Sequence, residues 1–426
     1  MARAAVPARG MRDVLPAEKE KRERVLGSIR STYRRFGFTE IETPAVEPIE
    51  RLRSNQGGEN ESMLFQIMKR GLDAGTPVNP AEAVDLALRY DLTVPLTRFY
   101  ASHAAELPTV FRALQTGPVW RAERPQKGRY RQFTQCDIDI IGEPGTIAEM
   151  DLVVATLAAF EDLGLAEGIT LRINDRRILL DLLAAVGIAP ERSAETLIAL
   201  DKLDKIGAAG VAAEIEGRGL ASGETVERLL ASVTALGTQT GLDDAPLREG
   251  AFTVDGTDVQ VSLYDLPEIV GTVAKLAPWA DVAFDVSLVR GMGYYTGPIF
   301  EMTHPSSAGS VAGGGRYDSV VGKWLGRDVP ACGFSIGFER IIDLVPDVPS
   351  TSRRVAVLYA EGTPAADVLT ARQQHQADGS DVALVRAPRK LSGRFLDGLT
   401  AEGFTHVDSG AVSGDGPGTV RELRRG

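Results

Sequence analysis

The sequence predicts an α+β protein: a mostly antiparallel sheet flanked by helices, a helical insertion, and a small C-terminal α/β module. Three observations point there. Strand-like runs are followed by helices without strict β–α alternation, which favours an antiparallel sheet. From 175 to 280, Ala, Leu and Glu dominate at helical periods broken by Gly187, Gly207, Gly217 and Gly223. Beyond the linker-like Asp347-Val-Pro-Ser-Thr-Ser, short apolar strands alternate with helical stretches.

Taken in order, Val25, Ile29, Tyr33 and Phe36 recur at helical spacing, so 16–36 reads as an amphipathic helix opened by Pro16. Phe38 to Pro44 reads as a strand, 51–62 as a polar loop, and Met63 to Met68 and Val84 to Tyr90 as further strands. Asp91 is placed to cap a helix that follows. Residues 117–123 and 130–141 read as a strand pair joined by a basic loop, and 146–163 as a helix. Strands resume at 282–288 and 294–302, before the glycine-rich 309–315 and a helix from about 337 to 344. Short strands at 355–359, 382–385 and 405–407 complete the chain. Segments 1–174 and 281–346 therefore read as two parts of one domain, with 175–280 inserted and 352–426 as a separate module.

The chain has 426 residues, 43% hydrophobic and 25% charged, which excludes disordered, collagenous and disulfide-rich classes. Apolar runs reach about nine residues (Leu152 to Phe160), whereas a membrane span needs about 20. The first residues hold no hydrophobic signal core. A cytoplasmic protein without a membrane partner is expected. Two cysteines, Cys136 and Cys332, form no C-x-x-C pair. Four scattered histidines show no metal-ligand spacing, so no protein-held metal is expected.

The net charge of −11 disfavours blanket coating of nucleic acid. Against that background, 121–131 holds five basic residues and one acid. A basic loop in an acidic body suits a focused phosphate ligand. The strand after it alternates faces: Arg131, Phe133, Gln135, Asp137 and Asp139 on one, Cys136, Ile138 and Ile140 on the other. An aromatic and polar row of this kind suits a small zwitterion, since carboxylates hold ammonium groups and arginines hold phosphates; an outer solvated face is the plainer alternative.

Arg290 is followed by Gly291, Gly293 and two tyrosines, a run that admits a ligand close to backbone. Three glycines at 313–315 are able to line a phosphate or nucleotide, although no G-K-[ST] follows them. Gly333-Phe-Ser-Ile-Gly formally matches a hydrolase nucleophile elbow, with Asp367 and His375 or His406 in the required chain order. The stronger expectation is small residues packing a strand into a helix that brings Arg340.

Together these residues resemble the histidyl-tRNA synthetases, class II aminoacyl-tRNA synthetases. The resemblance runs from Gly10-Met-Arg-Asp-Val-Leu-Pro to about Leu423. Phe38-Thr-Glu-Ile-Glu-Thr-Pro resembles the first class II motif, 121–139 the second, and Gly333 to Arg340 the third. Leu-Val-Arg-Gly-x-x-Tyr-Tyr and Gly-Gly-Arg-Tyr-Asp resemble the histidine-specific signatures, and Leu88-Arg-Tyr-Asp-Leu-Thr-Val-Pro the eukaryote-like branch.

The resemblance implies an enzyme that joins histidine to ATP, with Mg2+, forming histidyl-adenylate and pyrophosphate, and then charges histidine tRNA. It implies that Arg121 and Arg290 hold the α-phosphate and the substrate carboxylate. Phe133 and Arg340 would sandwich the adenine, and Glu123 would read its amino edge. Asp91, Thr93, Gln135 and Asp139 would hold the α-amino group, while Tyr294, Tyr295 and Tyr317 line the imidazole pocket. Arg124 and Gln126 would meet the tRNA acceptor end. The resemblance further implies a homodimer, a tRNA-clasping insertion at 175–280, and a shortened anticodon-binding-like domain at 352–426. Where the family usually has Leu-Asp, this chain has Met292 and Gly293. Two alternatives stay open: a catalytic paralogue that charges a non-tRNA acceptor, and a non-catalytic histidine-binding regulatory subunit of ATP phosphoribosyltransferase.

Overall fold

A computed structural model describes residues 5–53, 63–71, 79, 82–125, 129–240, 251–254, 257–260, 262–290, 295–347, 352–413 and 420–423. The chain divides into two compact units, Met1–Pro346 and Asp347–Gly426.

The first unit is built on a nine-stranded sheet. Its spatial order is Thr39–Glu40, Phe111–Trp120, Gln132–Ile141, Ala331–Ile336, Ala312–Arg316, Pro298–Thr303, Thr170–Asp175, Asp281–Asp285 and Thr238–Thr240. Six of the eight pairings are antiparallel; the first and the seventh are parallel. The expected α+β architecture, a mostly antiparallel sheet flanked by helices, is the observed one, with two parallel pairings that make the sheet mixed. Cys136, Ile138 and Ile140 turn into the core, where Val25, Ile29 and Tyr33 of helix Pro16–Arg35 and Leu152, Val153 and Phe160 of helix Ile147–Asp162 bury them. The other face is left for polar chemistry.

Several local expectations are corrected. The strand expected over Phe38 to Pro44 pairs only at Thr39–Glu40, and a second short strand forms at Val46–Pro48. Pro44 has no N–H to continue a ladder. Arg51–Arg53, expected in a loop, close the helix Ile49–Arg53; the rest of that expected loop, 54–62, lies outside the described residues. The glycine-rich run becomes the strand Ala312–Arg316 in the middle of the sheet. Among the described residues the expected helical insertion holds five helices between Arg176 and Leu276, but also Thr238–Thr240, which joins the large sheet, and the hairpin Ala251–Val254 with Thr257–Gln260. The pairing of a strand with a distant partner leaves no mark in helical periodicity.

The second unit is a four-stranded sheet ordered Asp381–Arg386, Arg354–Tyr359, His406–Asp408, Val420–Glu422, with helices Ala365–Ala377 and Gly393–Ala401. Val355 and Val357 pack on Val368 and Ala371, while Ala356 and Leu358 pack on Leu399 and Phe404, so each strand face has its own apolar cluster. Among the described residues no helix is long and apolar enough to cross a membrane.

One buried ion pair ties the sheet to a helix. Arg316 donates to both oxygens of Glu149, from Nε at 2.5 Å and Nη2 at 2.8 Å, and to the carbonyls of Glu143 and Gly145. Replacing Arg316 with Met leaves Glu149, 1% exposed, as an unpaired buried carboxylate. The expected loss is about 3–5 kcal/mol in urea unfolding; a change below about 1 kcal/mol would show that Glu149 finds other partners.

Candidate active site

Register across the sheet places the site residues in rows. One row runs Arg172, Glu301, Gly313, Ser335, Asp137, Gln115 on six neighbouring strands. The next runs Asn174, Ile299, Gly315, Gly333, Asp139, Ala113. Glycine therefore occupies the middle of both rows, and larger side chains lie down where a Cβ would stand. A Cβ on Gly313 would sit 1.6 Å from Arg290 Nη1, one on Gly333 2.0 Å from Asp139 Oδ1, and one on Gly315 3.1 Å from the Tyr295 ring. The glycine run thus clears a trough in the sheet face.

Above the trough opens a cavity of about 400 Å³. Of the residues singled out from sequence, Arg121, Glu123, Phe133, Gln135, Arg290, Tyr295 and Arg340 line it. Asp139, Tyr317, Asp91 and Thr93 do not. Asp139 lies buried one row along, where its Oδ1 accepts the Tyr317 hydroxyl at 2.6 Å. Helix Thr93–His103 begins one residue later than a cap at Asp91 requires, yet Asp91 Oδ1 still accepts the Val94 N–H at 3.1 Å. Arg124 is exposed on the basic loop. Gln126 and Tyr294 lie outside the described residues, as do Met292 and Gly293.

Arg121 donates from Nε to the Tyr90 carbonyl at 3.0 Å, and its guanidinium lies 5.0 Å from the centroid of the Phe133 ring. Arg290 and Arg340 arrive from the far side. Both donate to the Ser310 hydroxyl, and Arg340 also to the Ser310 carbonyl. Burial, then the neighbouring charges of Arg290 and Arg129, lower the Arg340 pKa. Two cations sharing one hydroxyl form a place for an anion.

The acids on the cavity wall are already engaged. Glu123 holds Arg129 at 3.3 Å. Glu339 accepts from Arg22 at 2.6 and 2.7 Å, from Arg12 at 2.9 Å and from the Thr134 N–H at 3.2 Å. Burial works to raise the Glu339 pKa, but the Arg22 hydrogen bond and charge outweigh it and hold the carboxyl below its usual range. Glu339 thereby pins the short helix Phe338–Ile341, and with it Arg340, to helix Pro16–Arg35 and strand Gln132–Ile141.

Deeper acids behave oppositely. Desolvation pushes Asp139 up to about 7, opposed by the Tyr317 hydrogen bond and aided by the Asp91 charge. Desolvation likewise lifts Asp91 to about 6 and Asp137 well above the carboxylate range, where Asp139 adds repulsion. Asp139 Oδ2 and Gln135 Oε1 are buried and have no hydrogen-bond partner among the described residues. Gln135 turns its amide nitrogen to Asp137 at 3.2 Å, so its oxygen is left as an acceptor. Buried acceptors beside half-neutralised acids suit a cationic ligand group.

The hydrolase expectation does not hold. Ser335 lies within the strand Ala331–Ile336, paired with Gly313 and Asp137 and not on an elbow, and its hydroxyl donates to Asp137. His375 is buried against Asp408 at 2.8 Å within the second unit.

Sequence reasoning placed Asp137 on the polar face of its strand but gave it no role of its own, and it missed Glu301, Ser310 and Glu339. For Asp137 and Glu301 the signal was strand alternation; for Ser310 there was none, because its role depends on two arginines from elsewhere.

A model of the family described as histidyl-tRNA synthetase matches residues 10–341. The chain belongs to that family. A histidine–tRNA ligase of Leifsonia xyli subsp. xyli is 44% identical over 432 residues, covering 100% of this chain and 99% of the relative. One from Aeropyrum pernix is 42% identical over 338 residues, covering 79% and 73%. The crystal structure of histidyl-tRNA synthetase from Nostoc sp. PCC 7120 superposes with a TM-score of 0.73 at 26% identity, covering 96% of this chain and 91% of that one. A Bacillus halodurans structure titled as an ATP phosphoribosyltransferase regulatory subunit/histidyl-tRNA synthetase shares the fold, with a TM-score of 0.69 at 20% identity and coverage of 93% and 97%. The histidyl-tRNA synthetase family is thus established by sequence and fold together, and the full-length match to the Leifsonia relative includes the second unit.

Two outcomes are expected from this geometry. An acid whose folded pKa is raised binds more protons folded than unfolded between its two pKa values, so rising pH lowers stability there. For Asp139 that window runs from about pH 4 to about 7. Asp139→Asn removes this dependence, so its melting temperature relative to the parent should climb between pH 5 and pH 8; a constant difference would refute the raised pKa. Gly313→Ala should leave the fold standing but displace Arg290, abolishing most activity while unfolding stays cooperative. Retained activity would show that Arg290 need not lie over this strand.

Proposed function

We propose that this chain is a histidine–tRNA ligase. Histidine's carboxylate attacks the α-phosphorus of ATP, the bond to the β-phosphate oxygen breaks, and pyrophosphate leaves. The tRNA 3′ hydroxyl then attacks the histidyl carbonyl and releases AMP. The observation that carries this reading is the convergence of Arg121, Arg290 and Arg340 on one cavity, within a chain of net charge −11. Positioned cations stabilise charge that builds on phosphoryl oxygens.

In this reading Arg121 and Arg290 hold the α-phosphate and the histidine carboxylate. Phe133 and Arg340 take the adenine between them, and Glu123 reads its amino group. Asp91, Thr93, Gln135 and Asp139 hold the α-amino group. Tyr294, Tyr295 and Tyr317 line the imidazole pocket, and the hydrogen bond from Tyr317 to Asp139 supports putting the two groups at one ligand. Arg124 and Gln126 serve the acceptor end of histidine tRNA. Magnesium would come on the ATP phosphates, because the cavity-wall carboxylates Glu123 and Glu339 already hold arginines. The active form would be a cytoplasmic homodimer.

The test is histidine-dependent exchange of pyrophosphate into ATP, followed by charging of histidine tRNA. Both are expected. Exchange without charging would indicate a paralogue with another acceptor, and histidine binding without exchange would indicate a regulatory subunit. Arg290→Ala should slow exchange by about 10²-fold or more, as expected for losing one oriented stabiliser of transition-state charge. Near-normal exchange would remove Arg290 from the reaction.

A further inference from the structure

Arg290 reaches the cavity on a long flexible side chain, and it stands beside another cation. Left alone, repulsion from Arg340 would drive it toward solvent, and holding its rotamers would cost entropy. Something must hold it. Its Nε forms an ion pair with Glu301 Oε2 at 2.8 Å, and its Nη2 donates to Ser310 Oγ. Nη1, which lies over Gly313, makes no hydrogen bond among the described residues.

Glu301 is itself held. It stands directly opposite Arg172 on one neighbouring strand and Gly313 on the other. Its Oε1 accepts from Arg172 Nη1 at 2.9 Å. Arg172 is clamped in turn by Asp285, 1% exposed, whose other oxygen accepts from the N–H and hydroxyl of Ser287. Asp285, Arg172 and Glu301 are each engaged on both sides, and only Glu301 reaches the cavity, through Arg290.

We propose that Glu301 is the positioning residue for Arg290. It fixes the guanidinium over Gly313 with Nη1 turned to the ligand, and its charge offsets the repulsion between Arg290 and Arg340. Glu301 touches no substrate; it acts through Arg290. This role rests on the ligase reading, and it adds to that reading a carboxylate on the strand Pro298–Thr303, outside all the motifs that signalled the family.

The experiment is pyrophosphate exchange in the full chain with Glu301→Gln, an isostere without the charge that pairs with both arginines. Expected is a fall in kcat of about 10-fold or more, in line with small misplacements of a reacting group, with histidine and ATP KM nearly unchanged. In an Arg290→Ala background the same substitution should cost nothing further, because a residue acting through another is silent once that other is gone. If Glu301→Gln fails to fold, Arg172→Lys serves. It keeps a charge beside Glu301 but loses the planar fork, and the same kcat loss and the same silence are expected. Additive losses in the double variant, a loss confined to KM, or faster exchange in Glu301→Gln would overturn the role of Glu301 and leave the ligase reading intact. A parent chain without histidine-dependent exchange would overturn the ligase reading and this role with it.

Discussion

The constraint on which the site depends is the absence of side chains in the middle of a sheet. Gly313, Gly315 and Gly333 stand where two strands meet, and each yields its Cβ volume to a functional group. A β-sheet ordinarily projects side chains at every other position on each face. Removing them from two adjoining rows turns a convex face into a trough, and the trough lets Arg290, Tyr295 and Asp139 lie against the backbone. Glycine inside strands weakens them. Here the flanking strands Gln132–Ile141 and Pro298–Thr303 pack Cys136, Ile138, Phe300 and Met302 into the core on the opposite face, so the sheet holds without those side chains.

The trough separates two electrostatic regions. At its rim, arginines outnumber available acids, since Glu123 and Glu339 are already paired. Buried outside the cavity lining, Asp91, Asp137 and Asp139 are desolvated and carry raised pKa values. A rim that attracts anions above buried, unfilled acceptors matches a ligand with phosphate at one end and nitrogen cations at the other. The protein's acidic average hides this arrangement, because local field is set by burial and spacing and not by net charge.

Positioning is done by acids that act through arginines. Glu339 pins the helix that carries Arg340, and Glu301 holds Arg290. Glu339 takes two directed donors from Arg22, Glu301 lies between Arg290 and Arg172, and both carboxylates are substantially shielded from water. Shielding of that kind makes such pairs costly to break and therefore effective at fixing geometry. Arg316 of the Gly-Gly-Arg-Tyr-Asp signature plays the same part for the scaffold: its side chain goes to Glu149, while Tyr317 beside it turns to Asp139.

What the sequence by itself determined is whatever travels with local period or short motif. The two faces of 131–141 were legible because a strand alternates every residue, and the apolar set did enter the core. The family was legible because its signatures are contiguous. The α+β class followed from the order of strand and helix patterns. What only the tertiary structure decided is which strands lie side by side and in what register. That placed Glu301 between Arg172 and Gly313, converted an apparent phosphate loop into a strand floor, and drew Arg290 and Arg340 together on Ser310. These contacts join residues 12 to 129 positions apart with no common periodicity. Their energy comes from burial and directed hydrogen bonds, which exist only once the sheet has closed.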